Sequence, residues 1–136
     1  MERKLKTRVL IAKPGLGGHD RRAKQIAQGL KDAGFEVIFT GLRQTPSQIV
    51  QSAVSEQVDA VGLSLPSENQ ADLTLQIRSL LCAQGAPEVA LFGGGSIEEE
   101  EISALRDAGL EAVFTAGSSV NDMVDFLRRR CGGAGV

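Results

Sequence analysis

The sequence is poor in aromatic residues and in the side chains that most often bind metals. Its 136 residues include no tryptophan, no tyrosine and a single histidine, His19. Zinc held by protein side chains alone usually needs three or four ligands, which this composition does not supply. The two cysteines, Cys82 and Cys131, are too far apart in sequence for metal-ligand or redox-pair spacing. We therefore expect two free thiols.

The sequence also lacks a strong net charge and a long apolar segment. Its formal net charge is −2, which provides no basic field for binding nucleic acid. No apolar run approaches the roughly 20 residues of a membrane-spanning helix, and residues 1–7 lack the apolar core of a signal peptide. The small basic cluster of Arg21, Arg22 and Lys24 is more typical of a solvated helix face than of a phosphate site. These features predict a cytoplasmic protein that contacts neither nucleic acid nor a membrane.

What is present is an alternation of short apolar segments with longer amphipathic segments. The pattern predicts strands at 9–12, 36–40, 60–65, 89–92 and 112–114, each followed by a helix. Consecutive parallel strands need right-handed helical crossovers. The fold class is therefore α/β: a flavodoxin-like, doubly wound, five-stranded parallel sheet of order 2-1-3-4-5, with helices on both faces. We expect one domain at 8–130, an N-terminal extension at 1–7 and a flexible tail at 131–136.

Several residues predict where helices begin and end. Thr45 and Gln48, with proline between them, form a capping box, and Ser96 and Glu99 form a second one. Ser119 can cap the last helix, and Gly34 ends the first helix, which is predicted at 21–33. We expect Cys82 to lie on the apolar face of the helix at 71–83.

Ligands of doubly wound sheets bind beyond the carboxyl ends of the strands, at the point where the strand order reverses. Here that point lies between strands one and three. Glycine-rich or small polar segments follow strands one, three, four and five, and glycine lets backbone N–H groups approach a ligand closely. The residues of this rim are Gly15, Gly17, Gly18, His19, Asp20, Ser64, Pro66, Ser67, Asn69, Gly93–Gly95 and Thr115–Ser118.

His19 has three interpretations at this position. A lone loop histidine is most often an ordinary surface residue, and acid–base catalysis would need a partner group. A single protein ligand suffices when a cofactor brings its own macrocycle, as haem does with its axial histidine, and corrin is the analogous case.

Other classes with this fold match the sequence poorly. A response regulator needs an acidic pair after strand one and a phosphoacceptor aspartate after strand three, where this chain has Lys13-Pro14 and Ser64. A flavodoxin usually stacks its flavin on aromatic residues and has a Ser/Thr-rich phosphate loop. The segment 15–20 begins like a dinucleotide-binding fingerprint but lacks the final glycine.

The sequence resembles the cobalamin-binding domains of the methylmalonyl-CoA mutase family over nearly its whole length. The likeness is carried by segment 8–21 with its Gly-Leu-Gly-Gly-His-Asp run, and by 41–46, 61–64, 94–97 and 113–117. Family members of this length are small subunits, or excised C-terminal domains, of mutases whose large part is a substrate-binding barrel. Among these, the chain most resembles the small subunits of isobutyryl- and 2-hydroxyisobutyryl-CoA mutases.

The resemblance implies adenosylcobalamin as the cofactor. His19 would replace the cofactor's own benzimidazole as the lower cobalt ligand. Ser64 would hydrogen-bond the displaced nucleotide tail, Gly94 and Gly95 would make room for it, and Gly18, Asp20 and Gly117 would complete the cofactor site. The implied partners are a large mutase subunit and, as a further candidate, a G-protein chaperone.

The chain departs from the family pattern at four positions. Gly17, Arg22 and Pro66 fall within the signature Asp-x-His-x-x-Gly followed by Ser-x-Leu, and Glu68 replaces a small residue, usually glycine, shortly after it. Gly17 replaces the aspartate that orients the histidine and that Lys13 would normally support; losing such a partner weakens metal binding about 10–100-fold. Two hypotheses follow. The chain is the cobalamin-carrying subunit of a radical acyl-CoA mutase, inactive alone, or it keeps the fold without cobalamin as a structural or regulatory subunit. A corrinoid carrier for a transferase is a third alternative, but such carriers usually have a preceding helical domain.

Overall fold

The computed structural model describes residues 7–13, 21–39, 45–65, 69–95, 97–115 and 118–131, without the side chains of residues 21 and 22. Within these ranges the strands are β1 (Arg8–Ala12), β2 (Glu36–Phe39), β3 (Ala60–Leu65), β4 (Ala90–Gly95) and β5 (Ala112–Phe114). The helices are α1 (Arg21–Asp32), α2 (Pro46–Ser55), α3 (Gln70–Ala83), α4 (Ile102–Ala108) and α5 (Val120–Cys131), and a 3₁₀ turn at Glu99–Glu101 leads into α4. No helix formed by the described residues has the length and apolar character needed to cross a membrane.

The strands form one parallel sheet in the order β2-β1-β3-β4-β5, as predicted. Its register sets Ile11 beside Gly62 and Gly62 beside Phe92. The strand order reverses between β1 and β3, so Lys13 and Ser64 lie at the carboxyl edge where a ligand is expected.

Helices cover both faces of the sheet, also as predicted. Alternate residues of each strand point to opposite faces and enter two separate hydrophobic cores. The core shared with α2, α3 and α4 includes Leu10, Ile49, Val61, Ile77, Leu91 and Leu105. The core shared with α1 and α5 includes Val9, Ile11, Leu30, Phe92, Phe114 and Leu127.

Two of the predicted helix starts are confirmed. The Thr45 hydroxyl accepts from the Gln48 N–H at 3.1 Å, and the Thr45 N–H donates to Gln48 Oε1 at 2.9 Å. Ser119 and Asp122 form the same reciprocal pair at the start of α5, at 2.9 and 3.3 Å. In each pair, the hydroxyl at the start of the helix accepts from an N–H group that has no partner inside the helix.

The helix predicted to start at the Ser96–Glu99 capping box begins later in the structure, since residues 97 and 98 are not helical. The reciprocal interaction lies two residues later, where the Glu98 N–H donates to Glu101 Oε1 at 2.8 Å. Because four glutamates follow one another at 98–101, several residue pairs match the spacing of a capping box. The sequence pattern alone favoured an earlier pair. Ser96 itself lies outside the described residues.

Both cysteine placements need correction. Cys82 is exposed, not on the apolar face of α3; the buried residues of that helix are Gln70, Thr74, Ile77 and Leu81. Cys131 is the last residue of α5 and is half-buried, so the helix extends one residue into the predicted tail. Both thiols are free, as expected.

Arg130 connects the end of α5 to the amino-terminal end of the sheet through hydrogen bonds. Its guanidinium donates to the Glu111 carboxylate and to the Glu88 carbonyl. The hydrogen bond with Glu111 raises the pKa of Arg130 above its ordinary value. This charged contact lies at the end of the sheet opposite to the predicted ligand site.

Gly85, which follows α3, offers a test of how this helix ends. Its φ is +81°, and nothing lies within 4 Å of the position that a Cβ would occupy, so only backbone strain opposes a side chain. This conformation costs ordinary residues roughly 1–2 kcal/mol, and asparagine tolerates it better. We expect Gly85→Ala to lower the free energy of unfolding by about 1 kcal/mol in urea denaturation, and Gly85→Asn by less. Equal losses for the two variants would contradict this account.

Candidate functional site

A narrow groove with a cavity volume of about 20 Å³ opens between the carboxyl half of the sheet and helices α1 and α5. We call it the switch-point groove. Its walls include Ile11, Gly62, Ser64, Phe92 and Gly94 from the sheet, with Ile26 from α1 and Met123 from α5. It lies where the strand order predicts a ligand.

The groove exists because small residues occupy one face of β3 and β4. On the face toward α1 and α5, β3 carries Gly62 and Ser64, and β4 carries Gly94. The intervening Leu63 and Leu65 are buried in the opposite core. The sheet therefore packs fully against α2–α4 but leaves space toward α1 and α5 near its carboxyl edge.

An aromatic ring closes the floor of the groove. A Cβ added at Gly62 would lie 2.5 Å from Phe92 Cζ and 2.9 Å from Ile11 Cδ1, so these side chains occupy the space over the glycine. Phe92 also packs against Phe114 and Phe126, with ring centroids 6.1 and 5.7 Å apart. The sequence analysis missed Phe92 as a site residue. Counting back two residues from Gly94 along a strand would have placed it on the same face.

Strand β4 continues through Gly93, Gly94 and Gly95, three residues beyond its predicted end. A Cβ at Gly94 would lie 2.5 Å from the Phe114 carbonyl oxygen, and one at Gly95 would lie 2.7 Å from the Leu65 carbonyl oxygen. The sheet itself therefore requires these positions to lack side chains. Gly94 lines the groove, whereas Gly95 is not among its lining residues.

Polar groups at the groove are few. Of the described residues that line it, only Ser64 has a polar side chain, and it is half-buried. Lys13, immediately after β1, is 8% exposed. The lining combines apolar walls with a single hydroxyl, a composition common in small-molecule sites, and in this structure the groove has room for about one water molecule.

The remaining predicted site residues cannot be placed against this groove. His19, Gly18, Asp20 and Gly117 lie outside the described residues, as do Gly17, Pro66 and Glu68, and the side chain of Arg22 is not described. The roles assigned to them stay predictions.

A family model described as the B12 binding domain matches residues 7–125. The chain belongs to the B12-binding domain family. The match confirms the resemblance predicted from the sequence and cobalamin as the cofactor class of this B12-binding domain. It also favours the cobalamin carrier over the hypothesis that the domain no longer binds the cofactor.

Individual relatives are consistent with this family. The domain is 39% identical to the 2-hydroxyisobutanoyl-CoA mutase small subunit of Aquincola tertiaricarbonis over 121 residues, which is 89% of each chain. It is 37% identical to the methylmalonyl-CoA mutase large subunit of Streptomyces virginiae over 90% of this chain but only 17% of that protein. The domain thus spans nearly all of one relative and a minor part of the other.

Solved structures share the fold at low sequence identity. A cobalamin-binding protein from Desulfitobacterium hafniense superposes with a TM-score of 0.80 at 20% identity, covering 93% of this chain and 59% of that chain. A two-component response regulator from Clostridium difficile superposes with a TM-score of 0.69 at 13% identity, covering 96% of this chain and 100% of that chain. At these identities the likeness shows the fold alone.

The lining of the switch-point groove is chemically compatible with the nucleotide tail that cobalamin carries. Phe92 and Ile11, which cover Gly62, give it an apolar floor, and Ser64 offers one hydroxyl for a ring nitrogen or sugar. An apolar base with one polar edge matches this lining.

Gly62 and Gly94 allow a paired test of how the groove is built. An added Cβ meets another atom at 2.5 Å in both cases, but that atom is the end of the Phe92 ring at Gly62 and a backbone oxygen at Gly94. We expect Gly62→Ala to cost about 1–3 kcal/mol in urea unfolding of the cofactor-free protein, as overpacking does, and Gly94→Ala to cost more. Adding Phe92→Leu should recover part of the Gly62→Ala loss and none of the Gly94→Ala loss. A more stable Gly94→Ala variant than Gly62→Ala would contradict this account.

Proposed function

We propose that this B12-binding domain is the cobalamin-carrying small subunit of an adenosylcobalamin-dependent acyl-CoA mutase, an isomerase that rearranges the carbon skeleton of its substrate. The observation that carries the proposal is the switch-point groove, which gives a nucleotide tail an apolar slot at the reversal of strand order. Similarity to a mutase small subunit over 89% of both chains supports the same function.

The residues of the chain would hold and orient the cofactor. Phe92, Ile11 and Met123 would exclude water from the tail, and Ser64 would hydrogen-bond it. His19, which lies between β1 and α1 in the sequence, would bind cobalt. When bound, adenosylcobalamin supplies a cobalt–carbon bond whose homolysis starts the radical rearrangement. The chain's part is to present that bond at the carboxyl edge of the sheet.

A large subunit with a substrate-binding barrel is the proposed partner. The relatives support it, because the domain matches a separate small subunit on one side and 17% of a methylmalonyl-CoA mutase large subunit on the other. A G-protein chaperone that assists cofactor loading and a cytoplasmic location belong to the same proposal.

The role of His19 can be tested by titrating the purified chain with hydroxocobalamin and adenosylcobalamin. Wild type should bind both and shift the absorption spectrum to the histidine-ligated form, because imidazole replaces the cofactor's base at cobalt. His19→Ala should lose the shift, while Gln25→Ala, an exposed change on α1, should keep it. A folded wild-type chain that binds no cobalamin at high micromolar concentration would overturn the proposed function.

The need for a partner is tested by assaying acyl-CoA isomerisation with adenosylcobalamin. The chain alone should show no turnover, because its described residues form one five-stranded sheet with helices and no substrate-binding barrel. Turnover should appear when a matching large subunit is added. Turnover by the chain alone would contradict its assignment as a carrier subunit.

A further inference from the structure

Lys13 is a buried lysine without a counter-ion in the described part of the chain. Its side chain is only 8% exposed, and no described residue gives it a hydrogen bond or an ion pair. Lysine is rarely buried unless paired, because removing an ammonium group from water is costly. Among the described residues Lys13 Nζ is not one of the fully buried atoms without a partner, so the ammonium keeps contact with solvent and an anion can reach it.

The acidic groups of the neighbouring strands are engaged elsewhere. Glu36 pairs with Arg8 at 3.0 Å, and Asp59 accepts from the Arg8 N–H at 2.9 Å. Arg8 and its acids lie at the amino end of β1. Five residues of strand separate them from Lys13, roughly 16 Å at 3.3 Å per residue. They cannot neutralise its charge.

Lys13 lies at the mouth of the switch-point groove. Alternation along β1 puts Val9 and Ile11 on the face toward α1 and α5, and Lys13 is the next residue of that series. The register ends with Ala12 beside Leu63, so Lys13 directly follows β1 at the level where Ser64 follows Leu63 on β3. Every described residue that lines the groove is uncharged. Lys13 thus places a cation next to the groove at the carboxyl edge.

We infer that Lys13 binds the phosphodiester of the cofactor's nucleotide tail. The inference rests on the proposed function and adds a residue and a charge to it. The tail joins its base to the corrin ring through a single anionic phosphodiester. A base in the groove and a corrin beyond the strand ends leave that anion between them, at the mouth. There an ammonium donates charge-assisted hydrogen bonds, which are stronger than neutral ones.

The test separates the phosphate from the rest of the cofactor by using three corrinoids. Cobalamin has phosphate and base, cobinamide phosphate has phosphate without base, and cobinamide has neither. Lys13→Met keeps an apolar stem and removes the charge, Lys13→Arg keeps the charge, and Lys31→Met is the matched change at an exposed lysine of α1.

Lys13→Met should weaken binding of cobalamin and cobinamide phosphate about 10- to 100-fold, which is the usual effect of losing a charged hydrogen bond. It should leave cobinamide binding unchanged. Lys13→Arg should keep most of the affinity, and Lys31→Met should match wild type. Wild-type binding of cobalamin with an equal effect of Lys13→Met on all three corrinoids would overturn the inference alone. Failure of wild type to bind cobalamin would overturn the proposed function and the inference together.

Urea unfolding of the cofactor-free protein tests whether the counter-ion lies within the chain. If Lys13 awaits an external anion, Lys13→Met removes an uncompensated buried charge, and the stability should stay equal or rise. A clear loss of stability, or a variant that does not fold, would show that an acidic side chain of the protein neutralises Lys13 and would overturn the inference.

Discussion

The carboxyl end of β4 approaches both neighbouring strands so closely that no side chain fits there. Gly94 faces the Phe114 carbonyl and Gly95 faces the Leu65 carbonyl, each at a distance that excludes a Cβ. This approach lets a five-stranded sheet stay paired up to its edge. Gly94 also lines the switch-point groove, so this glycine serves both strand pairing and the groove.

A groove kept open by missing side chains lowers the stability of the cofactor-free domain. Protein interiors normally fill such space, because unfilled apolar walls lose dispersion contacts and remain in water. Phe92 and Ile11 limit the loss by leaning over Gly62, and the contacts of Phe92 with Phe114 and Phe126 hold its ring there. A ligand that binds only the folded state offsets the rest by mass action. Under the proposed function, cofactor binding would therefore be coupled to folding stability through the groove lined by Gly62, Phe92 and Gly94.

The fold could be predicted from the sequence because each strand and helix carries its own local signal. Serial βα units fix parallel pairing, and strand order then locates Ser64 and Gly94 at the ligand edge. The extension of β4 was missed, since glycine has low strand propensity and Gly93–Gly95 resembled a loop. The exposure of Cys82 was missed because the leucines of α3 point in several directions around the helix and define no single apolar face in the sequence; they are Leu73, Leu75, Leu80 and Leu81. Phe92 was missed because it reaches the groove only across Gly62, the residue beside it on the neighbouring strand, where no side chain blocks the ring. The assignments of His19, Gly18, Asp20 and Gly117 stay predictions.

Function in this fold is decided by the residues at the strand ends and not by the sheet. A response regulator shares the architecture with a TM-score of 0.69, yet Lys13 and Ser64 stand where its chemistry needs acidic groups. A cation and a hydroxyl at the reversal point suit an anionic, partly apolar ligand instead. The departures from the cobalamin signature are consistent with this charge balance. Gly17 removes a negative charge and Arg22 adds a positive one, while Glu68 adds one negative charge, so the formal charge at these positions rises by one relative to the family pattern.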